Sequence, residues 1–172
     1  MTIYPILIAP DPRLKLKSKL VKEVNDDIRQ LMDDMLETMH SARGIGLAAP
    51  QIDVHKRIIV VDVLGKDKVP QPLCMVNPEI IEVSDEDLSH DEGCLSLPEH
   101  FSEVTRPTSV RVRYLDYENE ICELDADGIL AVCVQHEIDH LDGILFVDHI
   151  SALKRNMILR KLTKLKKQEA TA

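Results

Sequence analysis

An apolar run that starts after Asp127-Gly128 and stops at Gly143 is interrupted by two histidines, spaced as His136-Glu137-Ile138-Asp139-His140. This stretch constrains the fold most, because the other elements must be arranged around it. Residues four apart share one face of a helix, so His136 and His140 can converge on a single metal ion with Glu137 beside them. Read backwards, the same face carries Cys133, Val132 and Ile129 at helical steps of three and four, an apolar wall leading up to the histidines. Two histidines on a partly apolar helix are otherwise ordinary core residues, and His-Glu-x-x-His also arises by accident. The metal reading therefore turns on a further ligand.

A catalytic metal of the zinc type takes three protein ligands and keeps one position open for water. His149 lies only nine residues beyond His140, without the extended His-x-x-Gly-x-x-His spacing. Cys94 is the better candidate. It sits in Glu92-Gly93-Cys94-Leu95-Ser96, where Gly93 permits a tight backbone path and Pro98 restrains the chain just beyond. Cys74, Cys122 and Cys133 fall inside strand or helix patterns and read as buried apolar residues. Chemistry alone leaves Cys94 open as the third ligand.

The chain of 172 residues has the length of one domain, able to bury roughly 70% of its unfolded surface. With 44% apolar and 30% charged residues it has globular composition, and no apolar run reaches the ~18 residues of a membrane span. The start lacks a basic n-region, and Pro5 and Pro10 break its short apolar run, so no export signal is expected. Four widely spaced cysteines without a Cys-x-x-Cys pair fit a reducing cytoplasm better than a disulfide framework. A net charge of −9 argues against DNA binding by the surface as a whole. The charge is uneven, however: from Leu153 onward seven Lys or Arg face Glu169 alone, which leaves −15 on the first 152 residues.

Up to Val24 the chain reads as irregular, with Asp11-Pro12 favouring a turn, and is expected along the domain surface. Asn25 or Asp26 can cap a helix carrying Ile28, Leu31, Met32, Met35, Leu36 and Met39 on its inner face. Those methionines suit plain core better than a docking face. Gly44-Ile45-Gly46-Leu47-Ala48-Ala49-Pro50-Gln51 is too poor in polar groups for a linker and lacks the pattern of a phosphate loop. Strands are expected over 57–64, 73–77, 79–83, 109–117 and 120–126, with Glu118-Asn119 turning between the last two, which should pair antiparallel. The charge run 84–92 reads as a solvated loop. Ser151 can cap a final helix over 151–167, amphipathic through Leu153, Met157, Ile158, Leu162 and Leu165, before a frayed tail. No repeat or composition shift divides the chain.

Three segments in this order, Gly44-Ile45-Gly46-Leu47-Ala48-Ala49-Pro50-Gln51, Glu92-Gly93-Cys94-Leu95-Ser96 and Gln135-His136-Glu137-Ile138-Asp139-His140, resemble the signature motifs of peptide deformylase. The likeness runs from Ile6-Leu7 and Asp11-Pro12 through Leu145-Phe146-Val147-Asp148 to the final helix, as in the bacterial form of the family. The resemblance implies Cys94, His136 and His140 as metal ligands, Glu137 as general base and acid, and the Gln51 side chain with the Leu95 backbone N–H as oxyanion donors. It implies a substrate-binding set of Ile45, Gly46, Glu92, Ile129, Val132 and Cys133 around the methionine. Glu99 stands where many members carry Gly, and Phe101 where some carry Arg.

The expected fold is therefore α+β, mostly antiparallel sheets wrapped around the helix that bears the histidines, with a basic C-terminal helix. The expected function is metal-dependent removal of the formyl group from N-formylmethionyl nascent chains in the cytoplasm, releasing formate. Ferrous iron is the cofactor implied by the resemblance, with Zn2+, Ni2+ or Co2+ as alternatives in purified protein. The partners expected are the formylated peptides and, through the C-terminal helix, the phosphate-rich ribosome surface, with no membrane and no specific DNA site. Two rivals remain: a His-Glu-x-x-His peptidase cutting internal amides, and a noncatalytic module stabilised by a closed, four-ligand metal site.

Overall fold

The computed structural model describes residues 2–64 and 69–171, without the side chains of the last two. Seven strands and three helices follow in the order α1 (Asp26–Ser41), β1 (Gly46–Ala48), β2 (Ile58–Asp62), β3 (Pro72–Val83), β4 (Asp87–Cys94), β5 (Leu97–Pro107), β6 (Ser109–Leu115), β7 (Ile121–Asp127), α2 (Gly128–Leu141) and α3 (Ala152–Thr171). Short 3-10 turns cover Pro12–Lys15, Ala49–Ile52 and Phe146–His149. Five strands form one antiparallel sheet in the order β1-β2-β3-β6-β7, and β4 and β5 form a separate antiparallel hairpin.

The sheet separates two cores. All five residues of β2 are buried, and alternation sends them to opposite faces. Ile59 and Val61 join Met75, Val110, Val112 and Ala126 against Ala131, Val134, Ile138 and Leu141 of α2. Ile58 and Val60 join Leu47 and Val76 against Ile28, Met32, Met35 and Met39 of α1. The Asn25 side chain caps α1 by accepting the Ile28 N–H at 3.0 Å, and Asp26 and Asp27 lie in its first turn, where the helix dipole favours acid. Each fully buried methionine contributes roughly 1.5–3 kcal/mol of hydrophobic burial. The helix expected there is present, and its methionines are core.

The helix α2 runs from Gly128 to Leu141 and is closed off by Gly143, whose φ of +73° lets the Ile144 N–H reach the Asp139 carbonyl at 2.9 Å. The hairpin and the 3-10 turn at Phe146–His149 share a third core that includes Leu14, Leu97, Val104, Phe146 and Leu162, and they meet α2 through Glu92 on His136, Arg106 on Asp139 and Phe146 stacked on His136. Antiparallel sheet thus surrounds the helix with the histidines, in the expected α+β arrangement. Among the described residues no helix is long and apolar enough to cross a membrane.

Several expectations fail in instructive ways. The run 84–92 is largely strand, because Asp87–Cys94 pairs with Leu97–Pro107. The two strands expected over 73–77 and 79–83 are one strand, β3, whose pairing with β6 shifts register twice, once where Asn77 takes φ +53° before Pro78 and again between Ile80 and Glu82. Asn77 is held there by bonds with both backbone groups of Val21. The amino-terminal segment does not simply lie on the surface, for Ala9 and Leu14 are fully buried. The final helix runs past 167 to Thr171, so the frayed tail is helix as far as the described residues go. Of the apolar positions expected to pack from that helix, Leu162 is buried, whereas Leu153 and Met157 are exposed.

Candidate active site

Three short segments meet beside α2. Gln51 closes the 3-10 turn after β1, Cys94 ends β4, and His136, Glu137 and His140 come from α2. The amino-terminal segment ties the first two together: the Leu7 N–H donates to the Gln51 carbonyl at 2.7 Å and the Ala9 N–H to the Ser96 carbonyl at 2.8 Å.

The donor atoms of Cys94, His136 and His140 all lie within 4.8 Å of one another, and among the described residues they are the one His, Cys, Asp or Glu cluster arranged to hold a metal. Cys94 Sγ is 3.4 Å from His140 Nε2. A sulfur and an imidazole nitrogen bound to one tetrahedral ion at ~2.3 and ~2.0 Å would stand about 3.5 Å apart, so this edge fits a shared metal. One soft thiolate with two imidazoles suits late first-row ions. A metal held by these three donors alone would keep a coordination position open, as a catalytic site does and a closed structural cage does not.

His136 is aimed from behind. Its Nδ1 meets Glu92 Oε1 at 3.0 Å, which turns the other ring nitrogen toward Cys94. Glu92 is gripped by Arg106, Nε to Oε2 at 2.6 Å and a terminal nitrogen to Oε1 at 2.9 Å. Arg106 also reaches Asp139 at 2.9 Å, and Asp139 meets His149 Nε2 at 2.8 Å. Burial alone would push the Glu92 carboxyl up, but hydrogen bonds from His136 and Arg106 outweigh it and hold the pKa below the ordinary value. Burial also opposes protonation of His136, yet bonds to Cys94 and Glu92 raise its pKa, whereas burial lowers that of His140.

Glu137 is the opposite case. Its Oε1 is buried with no hydrogen-bond partner, as is Nδ1 of His140. Burial pushes the Glu137 carboxyl up to about 7, a value suited to taking and returning a proton near neutrality. Gly46 makes room for it, since a Cβ there would lie 2.5 Å from Glu137 Oε2 and 2.8 Å from Cys133 Sγ. Gln51 is fixed from both ends of its amide: Oε1 accepts the Ala48 N–H at 2.9 Å, and Nε2 donates to Ser96 Oγ at 3.0 Å and to Cys94 Sγ at 3.5 Å.

A cleft of about 390 Å³ opens onto these groups, and its walls include Ile45, Gly46, Gln51, Cys94, Leu95, His136 and Glu137. Not every expected substrate-binding residue lies on it. Glu92 is beneath His136 with its carboxylate committed to Arg106, and Ile129 and Val132 lie outside the lining, Ile129 being exposed. Cys133 is buried next to Gly46, its thiol donating to the Ile45 carbonyl at 3.6 Å. Sequence reasoning missed Arg106, Asp139 and Ser96 as parts of the site and Arg43 as part of its rim, whereas Pro98, Glu99 and Phe101, singled out in the sequence without a role at the site, also line the rim. Arg106 had a faint signal, a lone arginine in a stretch whose alternate residues turn inward.

Comparison with known proteins gives one consistent answer. The family model described as polypeptide deformylase matches residues 3–156. A peptide deformylase of Cellvibrio japonicus is 57% identical over 165 residues, covering 95% of this chain and 96% of that one. The crystal structure of peptide deformylase from Ehrlichia chaffeensis superposes with a TM-score of 0.94 at 42% identity, covering 98% of this chain and 99% of that one. The same protein in complex with actinonin gives a TM-score of 0.91 at 43% identity, with 95% and 98% covered.

Proposed function

The chain belongs to the polypeptide deformylase family, and from that premise we propose how its residues remove the formyl group of N-formylmethionyl polypeptides, with water as co-substrate and formate and a free amine as products. It is a hydrolase, and the observation that carries the mechanism is a buried Glu137 carboxyl with one oxygen unpartnered, beside a three-donor centre at a cleft.

Cys94, His136 and His140 hold the metal in this reading. A divalent ion bound there supplies Lewis acidity, lowering the pKa of water from about 15.7 towards 7 and polarising the formyl carbonyl. Glu137 takes one proton from the attacking water and delivers it to the amine nitrogen as the C–N bond breaks, and the other leaves to solvent as the product ionises to formate. Gln51, its amide pinned between Ala48 and Ser96, presents Nε2 towards the oxyanion, together with the Leu95 backbone N–H; one such donor is worth about 10²- to 10³-fold in rate. Ile45 and Gly46 flank the methionine on the cleft wall, with buried Cys133 behind Gly46 and Ile129 and Val132 extending the apolar surface of α2 beyond the cleft lining. Glu92 serves that pocket indirectly, by holding His136 in place. The whole chain acts as one catalytic unit.

The ion proposed is ferrous iron, with zinc, nickel or cobalt able to replace it in purified protein; the mixed thiolate and imidazole donors support any of these. The cytoplasm is the compartment proposed, supported by four free cysteines and by a substrate made on ribosomes. We also propose that one face of α3, with Arg160 and Lys164, docks on phosphate-rich ribosomal RNA, as its segregated positive charge supports. The deciding experiment incubates anaerobically purified protein with formyl-Met-Ala-Ser and with acetyl-Met-Ala-Ser. Stoichiometric formate and free amine from the first, and no cleavage of the second, are expected. Release of amine from internal bonds of the acetyl peptide would instead mark a peptidase.

A further inference from the structure

Outside the cleft the surface holds a second groove of about 350 Å³ between β5 and α3, with Phe101, Lys154, Met157, Ile158 and Lys161 on its walls. Steps of three and four bring Lys154, Met157, Ile158 and Lys161 onto one face of α3. Two of the groove's apolar groups lack the cover expected of a finished core: Phe101 is 69% and Met157 48% exposed. The two lysines enter no ion pair among the described residues, and Glu103 is the single acid opposite them.

Phe101 belongs to both surfaces. Its ring lies directly over Gly93, the neighbour of Cys94, and it lines the catalytic cleft as well as this groove. Phe101 thus lines both openings, so a chain leaving the cleft past its ring reaches the groove. An apolar floor flanked by uncommitted lysines on a rigid helix is the chemistry that receives an extended polypeptide with acidic side chains.

We infer that this groove holds the part of the formylated polypeptide downstream of its first three residues and favours acidic side chains there. The inference rests on the deformylase reading and deepens it: the short substrate end is processed in the cleft, and the lysines select among longer chains. A three-residue peptide spans only about 10 Å and an eight-residue one about 26 Å, so peptide length separates the two surfaces.

The test compares formyl-Met-Ala-Ser with formyl-Met-Ala-Ser-Gly-Asp-Leu-Glu-Glu and with the same octapeptide carrying lysines in place of its acids. The wild type should process the acidic octapeptide with kcat/KM about three- to tenfold above the lysine one, through KM, which is the range two exposed ion pairs provide. The preference should fade in high salt. Lys154→Glu with Lys161→Glu should abolish or invert it and leave formyl-Met-Ala-Ser unchanged. Arg160→Glu with Lys164→Glu, the same charge change on another face of α3, should leave it intact. Fluorescence anisotropy of a labelled, formyl-free acidic octapeptide reads the groove even if no formate is released, which separates failure of the groove from failure of the deformylase reading. Equal kcat/KM for all three substrates, or equal loss of preference in both double variants, overturns the inference. So does a Lys154→Glu, Lys161→Glu protein that loses ribosome binding but keeps its peptide preference, an outcome that would assign this face to RNA.

Discussion

Glu92 and Glu137 are both glutamates, both within a few percent of full burial, and both within reach of His136, yet the fold treats them oppositely. Glu92 accepts from Arg106 twice and from His136 once, so it is ionised and immobile. Glu137 has an oxygen with no partner and a carboxyl raised to about 7. The contrast shows that burial by itself assigns no role. A buried carboxylate with its lone pairs filled braces a ligand, and one left unfilled beside a metal centre is free to move a proton.

The largest effect expected from breaking the contrast is on rate. Glu137→Gln should lower kcat about 10²- to 10⁴-fold while metal content, measured by elemental analysis, stays at the wild-type level, because the ligand set is untouched. Next comes Glu92→Gln. It strips one partner from a buried ion pair and should cost about 3 kcal/mol in chemical denaturation, the low end for such a pair because Asp139 still meets Arg106. It should also weaken metal binding about 10- to 100-fold, measured by competition with a chelator, since His136 loses its brace.

The same pair should differ in the sign of its effect on stability in metal-free protein. The raised Glu137 carboxyl contributes fully to stability below its unfolded pKa near 4.5, and that contribution is lost as pH rises through about 7. Glu137→Gln should therefore gain about 3 kcal/mol at pH 8 and less than about 1 kcal/mol at pH 5, read by urea denaturation across pH. Glu92, with its lowered pKa, contributes above its unfolded value and loses that contribution as pH falls. Unequal burial of the C-terminal helix gives the smallest effect. Deleting it from Met157 would also remove Leu162, 1% exposed in the third core, so charge reversal is the cleaner probe. Arg160→Glu with Lys164→Glu should make the salt dependence of ribosome cosedimentation shallower by about two contacts and keep formyl-Met-Ala-Ser hydrolysis within about twofold.

How much of this the sequence revealed follows from where hydrophobic pattern and function coincide. In α1 and at the end of α2 they do: Asn25 caps one and Gly143 stops the other, although of the apolar steps leading to the histidines only Cys133 is buried while Ile129 is exposed. In the hairpin they diverge. The inward positions of β4 and β5 include Glu92 and Arg106, so half of what the hairpin buries is a charge pair, and a pattern that seeks buried apolar residues takes 84–92 for a loop. Cys94 remained open for the same reason, since its partners come from a distant helix and its strand was not visible. The bracing of His136 by Glu92, Arg106 and Asp139 spans three elements, and no spacing along the chain encodes it.

The division of labour between the two glutamates is tested most directly by one crossed measurement, kcat per bound metal and the metal dissociation rate, on Glu92→Gln and Glu137→Gln side by side with wild type. The account predicts opposite corners. Glu137→Gln keeps the wild-type dissociation rate and loses about 10²- to 10⁴-fold in kcat, and Glu92→Gln releases metal about 10- to 100-fold faster with kcat per bound metal within about tenfold of wild type. Two variants that lose rate and metal in parallel would contradict it.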